Sequence, residues 1–471
     1  MAFSIPVRPL GSRFTAFLHS YAQDDGLPLA SVLTEEQIQA AATAEGVHFG
    51  SDPNDIYTPA VTLWAFVGQY LGGERTCVTA VARVMVLLIA LGREPCAAET
   101  GAYCKARAKL PEKFLRRLTY QVGNGIEDQA PAAWRWHQRR VLLADGFETL
   151  LDDTQENQAE YPQPTTQRPG LGFPMMRVVV FLAFATAALV GAACGPYAGK
   201  ESGETALLRQ LLDQLRAEDL VVADRYYCSY FMIALLRQRG VDAAFRLHQK
   251  RHYDFSSGRR LGRDDHVVEW QRPQRPDWMD EATYASMPET LTIREVRFHV
   301  DNPGCRSRVI IVATTLLDNQ QYRTADIADL YHQRWHAELD IRAIKQTLRL
   351  DMIHCKSPAM ARRALWAHLL GYNLVRQAAA QAAWARGLAP RQISFAGAMQ
   401  TLEAFRWLLV AGADDQRPQI YRVLFLAIAT HRVGNRPDRV EPRRLKRRYD
   451  RYPYLRIPRA QAREAMINGQ E

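Results

Sequence analysis

Residues 140–146 read RVLLADG and residues 220–225 read LVVADR, and these two stretches decide the fold. Each is a short aliphatic run, typical of a buried β-strand, that leads into an aspartate, Asp145 or Asp224. The ends of strands are where α/β sheets present polar groups to a crevice. A single aspartate after a strand is more often a turn residue, but two in matching positions indicate a shared site.

The rest of the chain predicts an α/β core with helices on both sides of it. Strand patterns occur at 177–184, 243–247, 266–270, 291–300 and 308–315. Helical patterns occupy much of 31–128, then 205–215, 324–350, 358–385 and 395–409. Alternation of strands and helices favours a central sheet.

Charge and cysteine content indicate the kind of partner and the cellular compartment to expect. The 471 residues carry a formal charge of +10, and positions 431–460 hold eleven Lys or Arg against three acidic residues. This favours a polyanionic partner or an acidic membrane surface, although a solvated basic tail is the alternative. Seven scattered cysteines without a Cys-x-x-Cys pair make a disulfide framework or structural zinc site improbable. No secretory signal is apparent after Met1, so we expect a reducing cytoplasm.

An uncharged run at 178–195 is nearly long enough to cross a bilayer, which takes roughly 20 residues. Its first part consists of strand formers and its second part of weakly hydrophobic Ala and Gly. We therefore predict two adjoining buried strands and no membrane association.

A third acidic residue, Glu338, belongs to the helix predicted at 324–350. At about 100° per residue, Tyr331, Arg334, Glu338 and Lys345 fall at roughly 0°, 300°, 340° and 320°, on one narrow face. A salt-bridged surface face would give the same pattern, because Arg334 and Glu338 are four residues apart. A carboxylate flanked by cations also suits a site that binds metal and phosphate, and carboxylates are the ligands that Mg²⁺ prefers.

Two helical patterns near the N-terminus, at 77–91 and 99–109, flank a turn at 92–95. This spacing is compatible with a helix-turn-helix in which Lys105 and Arg107 contact DNA. Plain packing of two helices is the commoner explanation.

Asp145-Gly146, Asp224-Arg225 and the spacing Tyr331-x2-Arg334-x3-Glu338-x6-Lys345 together resemble the DDE transposases of bacterial insertion sequences, most closely the insertion-sequence-four family. Weaker similarity occurs at 153–157, 368–373 and 441–443. The chain departs from the family at Phe147, where relatives often carry Thr.

The resemblance implies a fold and a division of the chain. It implies an α/β fold with a ribonuclease-H-like catalytic core and a β-rich insertion, flanked by helical N-terminal and C-terminal regions. The expected parts are a helical DNA-binding region at 1–130, the catalytic core at 131–242 and 319–410, the insertion at 243–318, and a basic C-terminal region at 411–471 for DNA contact and dimerisation.

The resemblance also implies chemistry. Asp145, Asp224 and Glu338 would bind two Mg²⁺ ions, for which Mn²⁺ can substitute, and catalyse cleavage and strand transfer at transposon ends in double-stranded DNA, with or without a hairpin intermediate. Tyr331, Arg334 and Lys345 would hold phosphates near a flipped base. Trp335 would stack on a base or simply pack, and packing is the simpler interpretation.

Partners and location follow from the same resemblance. The basic C-terminal segment, with Arg443, Lys446, Arg447 and Arg448, would contact the DNA backbone. A homodimer assembled on DNA is expected, in the bacterial cytoplasm at the nucleoid. Two alternatives stay open: a ribonuclease-H-like nuclease without strand transfer, and a non-catalytic DNA-binding protein derived from a transposase.

Overall fold

The strands around Asp145 and Asp224 form the centre of one mixed β-sheet. The computed structural model describes residue 33 and residues 35–52, 54–90, 92–299, 309–411, 416–434 and 455–468. Within those ranges the sheet has ten strands. They are β1 (Val141–Leu151), β2 (Met175–Ala183), β3 (Leu189–Pro196), β4 (Leu220–Ala223), β5 (Asp242–Arg246), β6 (Arg259–Gly262), β7 (Asp265–Gln271), β8 (Thr290–His299), β9 (Val309–Thr314) and β10 (Met352–Ile353).

Helices precede, interrupt and follow these strands. They are α1 (Glu35–Ala44), α2 (Pro59–Leu71), α3 (Cys77–Ala90), α4 (Gly101–Lys109), α5 (Glu112–Asp128), α6 (Gln155–Glu160), α7 (Glu204–Arg209), α8 (Tyr230–Gln238), α9 (Glu281–Ala285), α10 (Thr324–His332), α11 (Trp335–Arg342), α12 (Pro358–Trp384), α13 (Phe395–Ala411), α14 (Arg417–Thr430) and α15 (Arg459–Ile467). The predicted helix at 205–215 is shorter than expected, because α7 ends at Arg209 and a 3₁₀ turn follows at Leu212–Gln214.

The first five strands have the order β3-β2-β1-β4-β5. β1, β2 and β3 are antiparallel neighbours, whereas β4 runs parallel to β1 and β5 runs parallel to β4. This mixed sheet with surrounding helices confirms the predicted fold class. β4 pairs only with the first residues of β1, Val141 to Ala144. On the same side of β1, the short strand β10 pairs with its last residues, Leu150 and Leu151.

The strands predicted at 243–318 are present and continue the same sheet. β5 pairs with β9, and β8, β7 and β6 follow in antiparallel order. β5 lies inside the segment predicted as an insertion, yet it completes the parallel part of the sheet beside β4. The division of the chain into the five expected parts stays a prediction.

The uncharged run at 178–195 forms β2 and β3, as predicted from its residue types. Both strands are almost entirely buried, which explains why the run lacks charge. Among the residues that the structure describes, no helix is long and apolar enough to cross a membrane. The six cysteines in these ranges are free.

The helical N-terminal part packs on the core through α5 and α12. Asn373 of α12 accepts a hydrogen bond from the Leu189 amide and donates to the carbonyls of Leu189 and Thr119, which links both helices to β3. A Cβ at Gly123 of α5 would lie only 1.9 Å from the Leu189 carbonyl oxygen, so glycine allows the close approach.

The prediction of one uninterrupted helix at 324–350 was wrong. α10 ends at His332, α11 begins at Trp335, and a π-helical turn follows at Ala343–Thr347. The amides of His336 and Ala337 bond the carbonyls three residues earlier, so the junction is a tightened turn. Gln333 and Arg334 keep right-handed helical backbone angles, and the face that carries Arg334 and Glu338 is therefore preserved.

Candidate active site

Asp145 and Asp224 lie at the same level on neighbouring strands. β1 and β4 are parallel with Ala144 opposite Ala223, so the next residue on each is one of the two aspartates. Adjacent strands are about 4.8 Å apart, which brings the two carboxylates to one edge of β4. Asp224 follows the last residue of β4 and accepts a hydrogen bond from the Arg225 amide at 2.5 Å.

The prediction that Asp145 ends its strand was wrong. β1 continues to Leu151, because pairing with β2 runs through Asp145 and Gly146 as far as Leu150. Phe147, at the position where the family often carries Thr, is a buried core residue of this strand. Asp145 therefore lies in the middle of β1. It directly follows the last residue of β1 that pairs with the shorter strand β4.

Glu338 is brought to Asp145 by Arg334. One guanidinium nitrogen donates to Asp145 Oδ2 at 3.2 Å and another donates to Glu338 Oε1 at 2.9 Å. The contact joins β1 to α11 across 189 positions of sequence, and it confirms that Arg334 and Glu338 share a face. The Arg334–Glu338 salt bridge and the approach to Asp145 thus occur together, whereas a surface salt bridge and a functional site were alternatives in the sequence.

Burial makes Asp145 an unusual acid. Its side chain is 19% exposed, and burial raises its pKa from 3.8 to about 6. Arg334 and the Gly146 amide lower this pKa, while the negative charges of Glu204 and Glu338 raise it further. The site concentrates negative charge that a cation would neutralise.

Arg334 holds the carboxylates around a guanidinium. Among the described residues, no group of three or more His, Cys, Asp or Glu side chains is arranged closely enough to hold a metal ion. The guanidinium instead supplies positive charge between Asp145 and Glu338. The donor set, carboxylates on two neighbouring strands and a facing helix, consists of the hard oxygen ligands that suit Mg²⁺ or Mn²⁺.

The other residues of the family signature, and the neighbouring Trp335, differ in how far they are exposed to solvent. Tyr331 is 6% exposed and its ring packs 6.4 Å from that of Phe298, whereas Lys345 is half-buried in the π-helical turn. Trp335 is 56% exposed, so the expectation that it packs was wrong. Its ring projects into solvent from the first turn of α11.

Two residues close to the site, Glu204 and Tyr227, were not predicted from the sequence. Glu204 begins α7, and its carboxylate accepts a hydrogen bond from the hydroxyl of buried Tyr227 at 3.0 Å. It lies against Gly146, where a Cβ would be 2.9 Å from its carboxyl carbon. The glycine after Asp145 was the only available hint, since it marks a place where another group approaches the backbone.

A basic and aromatic cleft of about 700 Å³ opens at the turn that follows Asp224. Tyr226, two residues after Asp224, lines it with its ring 70% exposed. Lys250 and Arg251 line it after β5, and Trp278 closes another side. These residues lie on separate loops that only the folded sheet brings together, so no sequence pattern predicted them as parts of one site.

The two predicted N-terminal contacts differ in exposure. Lys105 on α4 is exposed to solvent. Arg107 instead packs inside the helical region, where it donates to Gln69 Oε1 at 3.2 Å and its guanidinium carbon lies 5.1 Å from the centre of the Phe66 ring. Its observed contacts are therefore with the protein. Arg443, Lys446, Arg447 and Arg448 lie outside the described residues.

Comparison with known proteins relates this geometry to a family. Residues 136–374, just over half of the chain, match the transposase DDE domain. The chain is 25% identical over 399 residues to the transposase InsG for insertion sequence element IS4 of Escherichia coli strain K12, covering 83% of this chain and 86% of the relative. It is 32% identical over 65 residues to the Escherichia coli transposase for insertion sequence element IS421, covering 14% of this chain and 18% of that one.

A solved structure with a similar chain is the piggyBac transposase synaptic complex with hairpin DNA, with a TM-score of 0.42 and 9% identity over 91% of this chain and 88% of that chain. The matched DDE domain contains Asp145, Asp224 and Glu338, and it implies divalent metal use and DNA as the partner. The resemblance seen in the sequence is thus confirmed: the chain belongs to the transposase DDE domain family, as a relative of the IS4 transposase.

Proposed function

We propose that this transposase excises and inserts an element by a cut-and-paste reaction, with Asp145, Asp224 and Glu338 as the ligands of two Mg²⁺ ions. The parallel register of β1 and β4 carries the proposal, because it aligns both aspartates at one edge of the sheet. The contact of Arg334 with Asp145 and Glu338 supports it by bringing the third carboxylate to that edge.

Bound ions would lower the pKa of an attacking water or 3′-hydroxyl and stabilise the leaving oxygen. The protein supplies the geometry. β1 and β4 fix the two aspartates, and α11 carries Glu338 across from them. With cations held by the carboxylates, the Arg334 guanidinium would be released from bridging them and would bind a DNA phosphate through two parallel hydrogen bonds.

The surroundings of the site suit a distorted DNA end. Trp335 offers an exposed ring for stacking on a base. Tyr331 and half-buried Lys345 would contact phosphates, as their positions in the family signature imply. The cleft at the turn that follows Asp224 is large enough for one unstacked nucleotide, with Tyr226 and Trp278 as aromatic walls and Lys250 for its phosphate. A hairpin intermediate requires such a displaced base, so this cleft favours the hairpin route.

DNA contacts away from the site complete the proposal. Lys105 would reach the element's end from the helical N-terminal part, and the basic segment with Arg443, Lys446, Arg447 and Arg448 would bind the backbone of any sequence. Two ends must be joined in one reaction, so we expect a homodimer assembled on double-stranded DNA. The nucleoid of the bacterial cytoplasm is where such a complex would act.

The test combines purified full-length protein, Mg²⁺ and a duplex that carries the inverted repeats flanking the gene. Asp145→Asn, Asp224→Asn and Glu338→Gln are each expected to lose at least about 100-fold in cleavage rate, because each removes a charged ligand. Glu148→Gln is the matched control: it lies on β1, pairs with Arg177 at 3.9 Å, and is expected to cleave normally.

The products separate the proposal from its rivals. Cleavage followed by joining, with hairpin ends visible on denaturing gels, supports cut-and-paste transposition. Cleavage without any joining would favour a nuclease, and binding without cleavage by the wild type would favour a non-catalytic DNA-binding protein. Cleavage by the three carboxylate variants at the wild-type rate would contradict the assigned site.

A further inference from the structure

A fourth carboxylate, Glu204, touches the active-site strand without being part of the acidic triad. It is the first residue of α7, and its carboxyl group occupies the space that a side chain at position 146 would need. A Cβ there would lie 2.9 Å from Glu204 Cδ and 3.0 Å from Oε1. Glycine at 146 therefore allows the Glu204 carboxylate to rest directly on the β1 backbone.

Tyr227 holds Glu204 in this place. The Tyr227 side chain is fully buried, and its hydroxyl donates to Glu204 Oε2 at 3.0 Å. Tyr227 ends the 3₁₀ turn that begins immediately after Asp224. A continuous path of contacts thus runs from the Asp224 turn through Tyr227 and Glu204 to Gly146.

The contact with Glu204 would fix the position of the Gly146 peptide. Its amide donates to Oδ1 of Asp145 at 2.9 Å, and this bond fixes the orientation of the carboxylate while leaving Oδ2 for Arg334. A shift of the Gly146 peptide would turn Asp145 away. Glu204 also places a negative charge directly beside the Asp145–Gly146 backbone.

We propose that Glu204, held by Tyr227, is a positioning residue that orients Asp145 through the Gly146 peptide and strengthens cation binding by its negative charge. The inference rests on the proposed function, because it assumes that the triad binds divalent cations. Outer partners of metal ligands commonly contribute about tenfold or more to metal affinity.

The experiment measures Mn²⁺ binding to the full-length protein, by titration calorimetry and by the electron paramagnetic resonance signal of free Mn²⁺. Glu204→Gln keeps the size of the side chain and an acceptor for Tyr227 but removes the charge. We expect it to weaken Mn²⁺ binding about tenfold, and we expect Glu204→Asp to restore part of the loss. Glu201→Gln is the matched control: position 201 lies three residues earlier, its exposed side chain pairs with Arg209, and the variant should bind Mn²⁺ as the wild type does.

Thermal unfolding distinguishes positioning from a structural role. Without Mn²⁺, Glu204→Gln should be as stable as the wild type or more stable, because a like charge beside Asp145 has been removed. With Mn²⁺, its melting temperature should rise less than that of the wild type, because the ion is bound less tightly. Tyr227→Phe keeps the charge, so it should lower the melting temperature without Mn²⁺ and weaken binding less than Glu204→Gln does.

The outcomes are separable. Equal Mn²⁺ affinity for Glu204→Gln and wild type would overturn the role of Glu204 alone. An equal loss of melting temperature with and without Mn²⁺ would also overturn it, since that is the result of a purely structural contact. Failure of the wild type to bind Mn²⁺ would overturn the proposed metal site, and the role of Glu204 with it.

Discussion

Asp145 carries a charge that the fold disfavours when no cation is bound. Its pKa is raised to about 6 in the folded protein, chiefly by burial, against about 3.9 for an unfolded chain. Between these values the folded state binds a proton that the unfolded state does not, so stability falls as the pH rises through about 6. The Asp145→Asn variant should escape this loss.

We therefore expect Asp145→Asn to be more stable than the wild type at pH 8 by about 1–3 kcal/mol in the absence of divalent cations. The advantage should shrink as the pH falls from about 6 to about 3, where Asp145 of the wild type is protonated in both states. Urea denaturation across this range with a chelator measures it. A difference that did not change with pH would show that the burial of the Asp145 charge is not its source.

Arg334 has the opposite effect, because its guanidinium compensates the charges of Asp145 and Glu338, a task that cations would share in the proposed metal site. Arg334→Gln should lower the free energy of unfolding by about 1–3 kcal/mol without Mg²⁺, because it removes hydrogen bonds to two ionised groups. With saturating Mg²⁺ the deficit should become smaller. Arg342→Gln, exposed on the same helix and bonded to Gln346, serves as control. A deficit that Mg²⁺ left unchanged would mean that Arg334 and the cations do not replace each other.

Among the elements, α11 has to be held firmly for Glu338 to meet Asp145. Asp340, two residues beyond Glu338, is buried and accepts hydrogen bonds from Arg376 at 2.6 Å and from Arg391 at 2.8 Å. Arg376 belongs to α12, and Arg391 also donates to the Ala183 carbonyl at the end of β2. This buried network ties the active-site helix to both α12 and the sheet.

Asp340→Asn should destabilise the protein by about 3–5 kcal/mol, because the buried guanidinium of Arg376 and the largely buried one of Arg391 lose their counter-charge. Chemical denaturation of the full-length chain measures the effect. Asp329→Asn, on the exposed side of α10, is the control and should change stability by less than about 0.5 kcal/mol. An equally small effect for Asp340→Asn would contradict the importance assigned to this network.

The elements also reveal what local sequence can predict. The apolar runs before Asp145 and Asp224 specify buried strands, and the spacing of Arg334 and Glu338 specifies a shared helical face, because both depend on near neighbours. Continuation of β1 beyond Gly146 depends on pairing with β2, so the Asp-Gly pair suggested a turn instead. The contact of Glu204 with Gly146 depends on packing between distant segments, and the glycine itself hints at a close approach without identifying the group that approaches.

In the whole molecule, the acidic site must approach a polyanion, so positive charge is needed elsewhere. Most of the net charge of +10 lies in the basic segment at 431–460. Phosphate contacts release counterions, and each contact steepens the dependence of log affinity on log salt concentration by about 0.9. Binding through this segment should therefore be sensitive to salt and insensitive to DNA sequence.

Replacement of Arg443, Lys446, Arg447 and Arg448 by alanine should reduce this slope by about 0.9 for each phosphate contact that is lost, or up to about 3.6. Fluorescence anisotropy with a duplex that lacks the element's ends, repeated over a series of salt concentrations, gives the slope. Mn²⁺ binding by the variant should equal that of the wild type, because the triad and Arg334 are retained. An unchanged slope would place the backbone contacts elsewhere. A selective loss for the element's own ends would mean that the segment reads sequence, because backbone contacts weaken binding to all sequences alike.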